Sequence, residues 1–405
     1  MMRITLLFVL FTARLWAQLS SNAPNDLAHG LVKAPATLKD FSLVVEVTKQ
    51  SPQSAEIQSD GFKLSFSGSS VRVEVAGSLM EAPLAAESDH VLTVVIKRDP
   101  RQALSGLWID GVEVRSTSVP PGTTVISEIP KDSSLYDRPL TRSEIIECSQ
   151  KVQEPQGWVV IGGSEAVAIM ESGYLEALWM PKEPVRCLAW EGDTVFKQDR
   201  PLNFGTLEDQ IARLRPKRIL AMFGRQECLE YGEAGLADFV KKAKPWAVQT
   251  LFIGALPFEK MEPPMRDLSD MNDVLKKYNQ ALAKLSGSQF IDLSGASMRG
   301  LTRDGVTLTD AGCLEVSKLI ARALGAKSDA VDAKVLTLVR EKNRLWHNYW
   351  RPSNWAFLYG DRTAQPSSRD HLDPKVRWFP GELEEYRTLI TAKEQAIWNL
   401  TPALP

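Results

Sequence analysis

The chain has 405 residues, 44% of them hydrophobic, and its 48 Lys and Arg stand against 50 Asp and Glu for a formal net charge of -2. Such a composition excludes wholesale disorder and gives enough chain for two or three cores at roughly 100–200 residues each. No clustered basic run is present to neutralise phosphates, which speaks against a nucleic-acid partner.

In residues 1–17, MMRITLLFVLFTARLWA, Arg3 precedes the apolar run Ile4 to Phe11 and the small Ala17 closes the segment. That is the layout of an export signal, and it predicts a periplasmic or extracellular protein, with an uncleaved amino-terminal anchor as the alternative. The run is shorter than the roughly 20 residues that span a bilayer, and no later segment reaches that length, so no membrane span is expected after cleavage. Cys148, Cys187, Cys228 and Cys313 are widely spaced, with no C-x-x-C and no His partner pattern. Buried thiols are expected, with no metal and no cofactor.

From Phe41 onward FSLVVEV, GFKLSF, SVRVEV, HVLTVVIKR and GLWIDGVEVRS alternate apolar with polar residues in short bursts. Period two over such runs predicts half-buried strands, and many of them in succession predict a β-sandwich. Asp110-Gly111, between LWI and VEV, fits a two-residue hairpin turn that requires positive φ. Further on, Thr141 and Glu144 make a T-x-x-E capping box, so a short helix is expected to lead out of the sandwich. On the stretches LWIDGVEV and Tyr136-Asp137-Arg138-Pro139-Leu140, residues 25–150 resemble the concanavalin-like or laminin-G-like jelly rolls of secreted bacterial proteins. The resemblance implies either a glycan-binding module or a spacer.

After Gln156 buried apolar strands alternate with longer amphipathic stretches. The strands are expected over Trp158–Ile161, Arg186–Trp190, Arg218–Phe223, Val248–Gly254 and Phe290–Leu293. Helices are expected to begin near Glu165, Thr206, Ala234 and Ser269, with Thr309 capping a last one. Strand-helix alternation predicts an α/β domain with a parallel sheet, whose site lies at the carboxyl ends of the strands.

Those ends carry Gly162-Gly163-Ser164, then Trp190-Glu191-Gly192-Asp193, then Gly224-Arg225-Gln226-Glu227, and the loop Asp304-Gly305-Val306-Thr307 precedes the last helix. In order and spacing the four segments resemble the blocks of the SGNH/GDSL ester hydrolases. The resemblance covers residues 156–326 and implies a flavodoxin-like three-layer domain. It sets Ser164 at the nucleophile, Gly192 with Ser164 and Gln226 at the oxyanion hole (Gln in place of Asn), and Asp304 at the triad acid. Thr307 falls at the family's histidine, and Gly163 replaces the Asp of its signature.

A serine hydroxyl needs a neighbouring base to take its proton during attack, and threonine is no base at neutral pH. Loss of a triad base costs up to about 10⁶-fold in turnover, and loss of one oxyanion donor about 10²–10³-fold. The chain has four histidines, His29, His90, His347 and His371, none of them within 156–326. His371 with Asp370 forms a substitute dyad if the Trp-rich helical extension, residues 327–405, folds back over the strand ends. The other reading of that extension is packing, with Trp346 and Trp350 burying their rings and their indole N–H groups finding partners. Three functions stay open: a secreted ester hydrolase acting on acyl esters, including those of carbohydrates; a catalytically silent protein binding an ester or glycan ligand; and a protein whose working part is the sandwich.

Overall fold

The computed structural model describes residues 31–47, 54–59, 61–67, 70–83, 90–98, 104–130, 133–149, 156–201, 204–358, 362, 365–372, 374 and 378–400. The export signal expected over 1–17 lies outside them, as does His29. Two compact units make up the chain, Met1–Ser149 and Gln150–Pro405. No helix among the described residues is long and apolar enough to cross a membrane.

The first unit is built from antiparallel strands: β1 (Leu31–Val32), β2 (Ala36–Leu38), β3 (Phe41–Val47), β4 (Ser54–Ser59), β5 (Phe62–Ser67), β6 (Ser70–Val75), β7 (Ser78–Pro83), β8 (His90–Ile96), β9 (Ser105–Ile109), β10 (Val112–Thr117), β11 (Thr124–Ile126) and β12 (Ser133–Tyr136). They form a sheet in the order β1-β12-β3-β8-β9-β10, another in the order β4-β5-β6-β7, and the pair β11-β2. One apolar cluster draws on both larger sheets, with Leu43, Leu92 and Val94 from one and Phe62, Leu64, Val71 and Val73 from the other. In β6 the expected alternation is clean, Val71, Val73 and Val75 being buried while Arg72 is exposed. β8 departs from the half-buried expectation and is buried along its whole length. The helix Arg142–Ser149 packs on β8 and buries Ile145 and Ile146, which accounts for the burial of HVLTVVI on both of its faces.

The hairpin falls at Asp110-Gly111, with φ of 51° and 76°. Aspartate serves there for more than its tolerance of positive φ: Oδ1 accepts the Val91 N–H at 3.0 Å and Oδ2 lies 2.8 Å from His90 Nδ1. The capping box also forms. Glu144 N–H donates to Thr141 Oγ1 at 3.3 Å, and Thr141 N–H donates to Glu144 Oε2 at 2.7 Å. Arg138 grips the same carboxylate through two bonds of 3.0 and 2.6 Å, and with Thr141 it pulls the Glu144 pKa from the ordinary 4.5 down to about 2.

In the second unit β13 (Gln156–Gly162), β14 (Val185–Cys187), β15 (Pro216–Met222), β16 (Gln249–Ile253) and β17 (Phe290–Ile291) form one parallel sheet in the order β14-β13-β15-β16-β17. This is the 2-1-3-4-5 order of flavodoxin-like sheets. Alternate residues of the central strands enter separate cores. Val159, Ile161, Ile219 and Ala221 pack with the helices Leu207–Leu214, Leu236–Ala243 and Asn272–Ser286. Trp158, Val160, Leu220 and Met222 pack with the helices Ser164–Ser172, Tyr174–Trp179 and Asp310–Ala323. Covering both faces makes three layers and explains why these strands are apolar at nearly every position. β14 and β17 are shorter than expected because the chain leaves the ladder early. Beyond β14, Leu188 N–H and Trp190 N–H still donate to Val160 and Gly162 at 2.8 and 3.0 Å, which keeps the next loop beside the end of β13.

Residues beyond Gly325 belong to this unit. The helix Ala333–Trp350, capped by Asp332, lays Lys342 and Trp346 on β14. Lys342 Nζ is fully buried, donating to both oxygens of Glu176 at 2.8 and 2.6 Å and to the Val185 carbonyl at 3.1 Å. Trp346 and Trp350 are both buried, as the packing reading expects, and Trp346 Nε1 donates to the Cys187 carbonyl at 2.7 Å. Trp350 Nε1 departs from it, having no hydrogen-bond partner among the described residues. The last helix, Trp378–Leu400, packs along Ala333–Trp350 and pairs Glu394 with Arg186. None of the four cysteines is in a disulfide.

Candidate active site

The sheet order puts the carboxyl ends of β13, β14 and β15 side by side, and the loops leaving them converge. Gly162 ends β13 at φ 151°, and a Cβ there would lie 2.1 Å from the Met222 carbonyl oxygen, so the turn admits only glycine. Gly163 is the N-cap of the helix Ser164–Ser172, and Ser164 opens that helix with its side chain exposed. Gly192 turns at φ 84° after Trp190, to whose carbonyl the Asp193 N–H donates at 3.0 Å. Ser164, Gly192 and Gln226 line one small cavity of about 70 Å³, together with Glu165, Asp193 and Arg225. That is room for a few waters or a short acyl group.

Asp304 and Thr307 bond to each other. Asp304 Oδ1 accepts the N–H groups of Val306 and Thr307 at 3.0 and 2.7 Å, and Oδ2 accepts the Thr307 hydroxyl at 2.9 Å. The Thr307 N–H above all holds the Asp304 carboxyl below the usual aspartate range. The loop reaches the cavity wall through Val306. Gln226 Nε2 donates to Glu230 one turn further along its own helix. His371 is 76% exposed, with Nδ1 3.9 Å from Asp370 Oδ1, beyond hydrogen-bond reach, and its ring stands beside Trp378. His347 lies 3.8 Å from Glu171, and His90 is engaged in the first unit. No histidine is among the described residues lining the cavity, and none of them form a group of three or more His, Cys, Asp or Glu placed to hold a metal.

Sequence reasoning passed over the charged residues flanking Gln226. Arg225 is buried, and its guanidinium donates to the carbonyls of Leu256 at 2.9 Å, Pro257 at 2.5 Å and Val306, with Glu165 3.4 Å away. It thereby ties the loop after β16 and the Asp304 loop to the helix that carries Gln226. Burial lowers its pKa against the opposing pull of Glu165 and Asp304. Glu227, 1% exposed, accepts the Gly224 N–H at 2.7 Å and the Val195 N–H at 2.8 Å, and burial raises its pKa. The spacing of Glu227 three residues after Gly224, the carboxylate half of a capping box, was its readable signal. For Arg225 there was none.

No protein-family model and no curated protein matches the chain. Among solved structures it is similar to a catalytic mutant of an acetylxylan esterase from Geobacillus stearothermophilus, at 18% identity over 43% of this chain and 96% of that one, with a TM-score of 0.30. A GDSL-like lipase from Bacteroides thetaiotaomicron matches at 15% identity over 45% and 96%, with a TM-score of 0.32. A carbohydrate esterase family 2 enzyme plus carbohydrate binding domain from Corynascus thermopiles (Myceliophthora fergusii) matches at 14% identity over 73% and 89%, with a TM-score of 0.29. These neighbours are SGNH/GDSL esterases and carbohydrate esterases, at low identity and partial coverage.

Proposed function

We propose that the protein is exported and that its second unit binds acyl esters, including those of carbohydrates, in an SGNH/GDSL-type site that is catalytically disarmed. Ser164 stands at the nucleophile position, and the opening turn of its helix offers backbone N–H groups and a positive dipole end to the ester carbonyl. Gly192 supplies the second backbone donor.

The observation that carries this reading is the closed Asp304-Thr307 pair. Its 2.9 Å hydroxyl bond and the two N–H bonds engage both oxygens of the carboxylate that would otherwise orient an imidazole. Among the described residues lining the cavity, Ser164 thus has no histidine to take its proton, a loss worth up to about 10⁶-fold in turnover. With its amide on Glu230, Gln226 withholds a third oxyanion donor, worth about 10²–10³-fold more.

Aryl acetate hydrolysis by the purified protein and its variants tests the proposal. The parent is expected to match Ser164→Ala at background rate. Thr307→His combined with Gln226→Asn is expected to gain activity by at least about 10²-fold, and the gain to vanish when Ser164→Ala is added. Ser164-dependent turnover in the parent would overturn the disarmed reading. No Ser164-dependent gain in the double variant would overturn the assignment of the site.

A further inference from the structure

The loop after Gly192 is built to hold an aromatic ring in water. Asp193, which lines the Ser164 cavity, and Arg200 close the loop 193–200 through two bonds of 2.7 and 2.8 Å, each side chain only 3% exposed. The Arg200 guanidinium also covers the Trp190 ring, 4.8 Å from its centroid. Within the loop, Thr194 Oγ1 accepts the N–H groups of Phe196 and Lys197 at 3.3 and 3.1 Å. Val195 N–H is fixed to the buried Glu227. At the tip Phe196 rests on Gly235, where an added Cβ would come within 2.4 Å of its ring, and its centroid lies 4.8 Å from that of Tyr231. Both rings nonetheless remain open to water, Phe196 at 43% and Tyr231 at 54%. Leu229, exposed on the same segment, continues this surface into the wall of the Ser164 cavity.

A flexible exposed aromatic needs no explanation, but one pinned by a buried ion pair, a side-chain-capped turn and a glycine seat is preorganised for a partner. Its rim is polar. Lys197 and Asp199 pair at 2.7 Å, and the neighbouring Glu230 carboxylate raises the pKa of the Tyr231 hydroxyl. An acyl chain laid across the rings would strip water from these groups and return nothing, whereas a sugar presents hydroxyls to the rim and a C–H face to the rings.

We propose that Phe196 and Tyr231 form a sugar-binding platform that seats a pyranose ring of the alcohol half of the ester, next to the cavity that takes its acyl group. This rests on the reading of the Ser164 cavity as an ester site, and it is tested by binding, which does not depend on turnover.

Calorimetric titration of the full chain with xylohexaose and cellohexaose, whose equatorial substituents leave flat C–H faces, is the measurement. Phe196→Ala and Tyr231→Ala should each weaken binding by about 10-fold, the scale of one aromatic stacking contact, while Val248→Ala, which removes an exposed apolar side chain at the opposite end of the sheet, leaves it unchanged. No binding by the parent, or binding that neither alanine variant weakens, would overturn the platform. So would a platform-dependent affinity for decanoate in place of the sugars, since that makes the occupant an acyl chain. Sugar binding that follows the platform variants, in a protein whose hydrolysis test failed, leaves the platform standing and removes only the ester reading.

Discussion

Gly163 sits where a larger side chain has no room, since a Cβ built there would lie 2.9 Å from the Asp193 carbonyl oxygen. The glycine is therefore tied to the path of the loop after Gly192. Gly163→Asp is expected to destabilise the second unit by about 1–3 kcal/mol, because backbone must shift, and thermal unfolding of the variant measures it. At this scale the sequence was legible where chemistry is local. The three-residue spacing of Asp304 and Thr307 places them in one loop, and their mutual bonds follow from that nearness. Arg225 was illegible for the opposite reason: its acceptors at Leu256, Pro257 and Val306 lie 31, 32 and 81 residues away in sequence. Nothing near Arg225 announces partners that only the fold assembles.

The five parallel strands were readable as elements because each is a short apolar run between turn signals, and alternate residues of the central ones feed separate cores. Their ends were not readable. Trp190 is as apolar as the strand before it, yet lies in the loop, its N–H still bonded to Gly162. The helix Ala333–Trp350 was readable as a packing element, but the inequality of its two buried tryptophans was not. Trp346→Phe loses the 2.7 Å bond to Cys187 and strands a carbonyl, at an expected cost of about 1–3 kcal/mol. Trp350→Phe loses no bond made within the described residues and is expected to cost less. Denaturant titration of the two variants side by side checks that order.

For the molecule as a whole, acid is expected to act on the first unit through Glu144. Its folded pKa of about 2 lies below the ordinary 4.5, so the ionised form favours the fold. The stabilisation is fully present above about pH 4.5 and is lost as pH falls towards about 2. The difference in melting temperature between the parent and Glu144→Gln should thus be largest near neutrality and close as pH descends through that window. A gap that stays constant with pH would remove this account. The tail has a consequence for the whole chain as well. β14 is an edge strand, and Val185 and Cys187 alternate with the residues that bond β13, so their carbonyls face away from the sheet. Lys342 and Trp346 take those two carbonyls. Open strand edges invite pairing with other chains. Cut back to residues 156–325, this unit would carry an uncapped edge at β14, a pairing liability that the segment reading as an appendage covers.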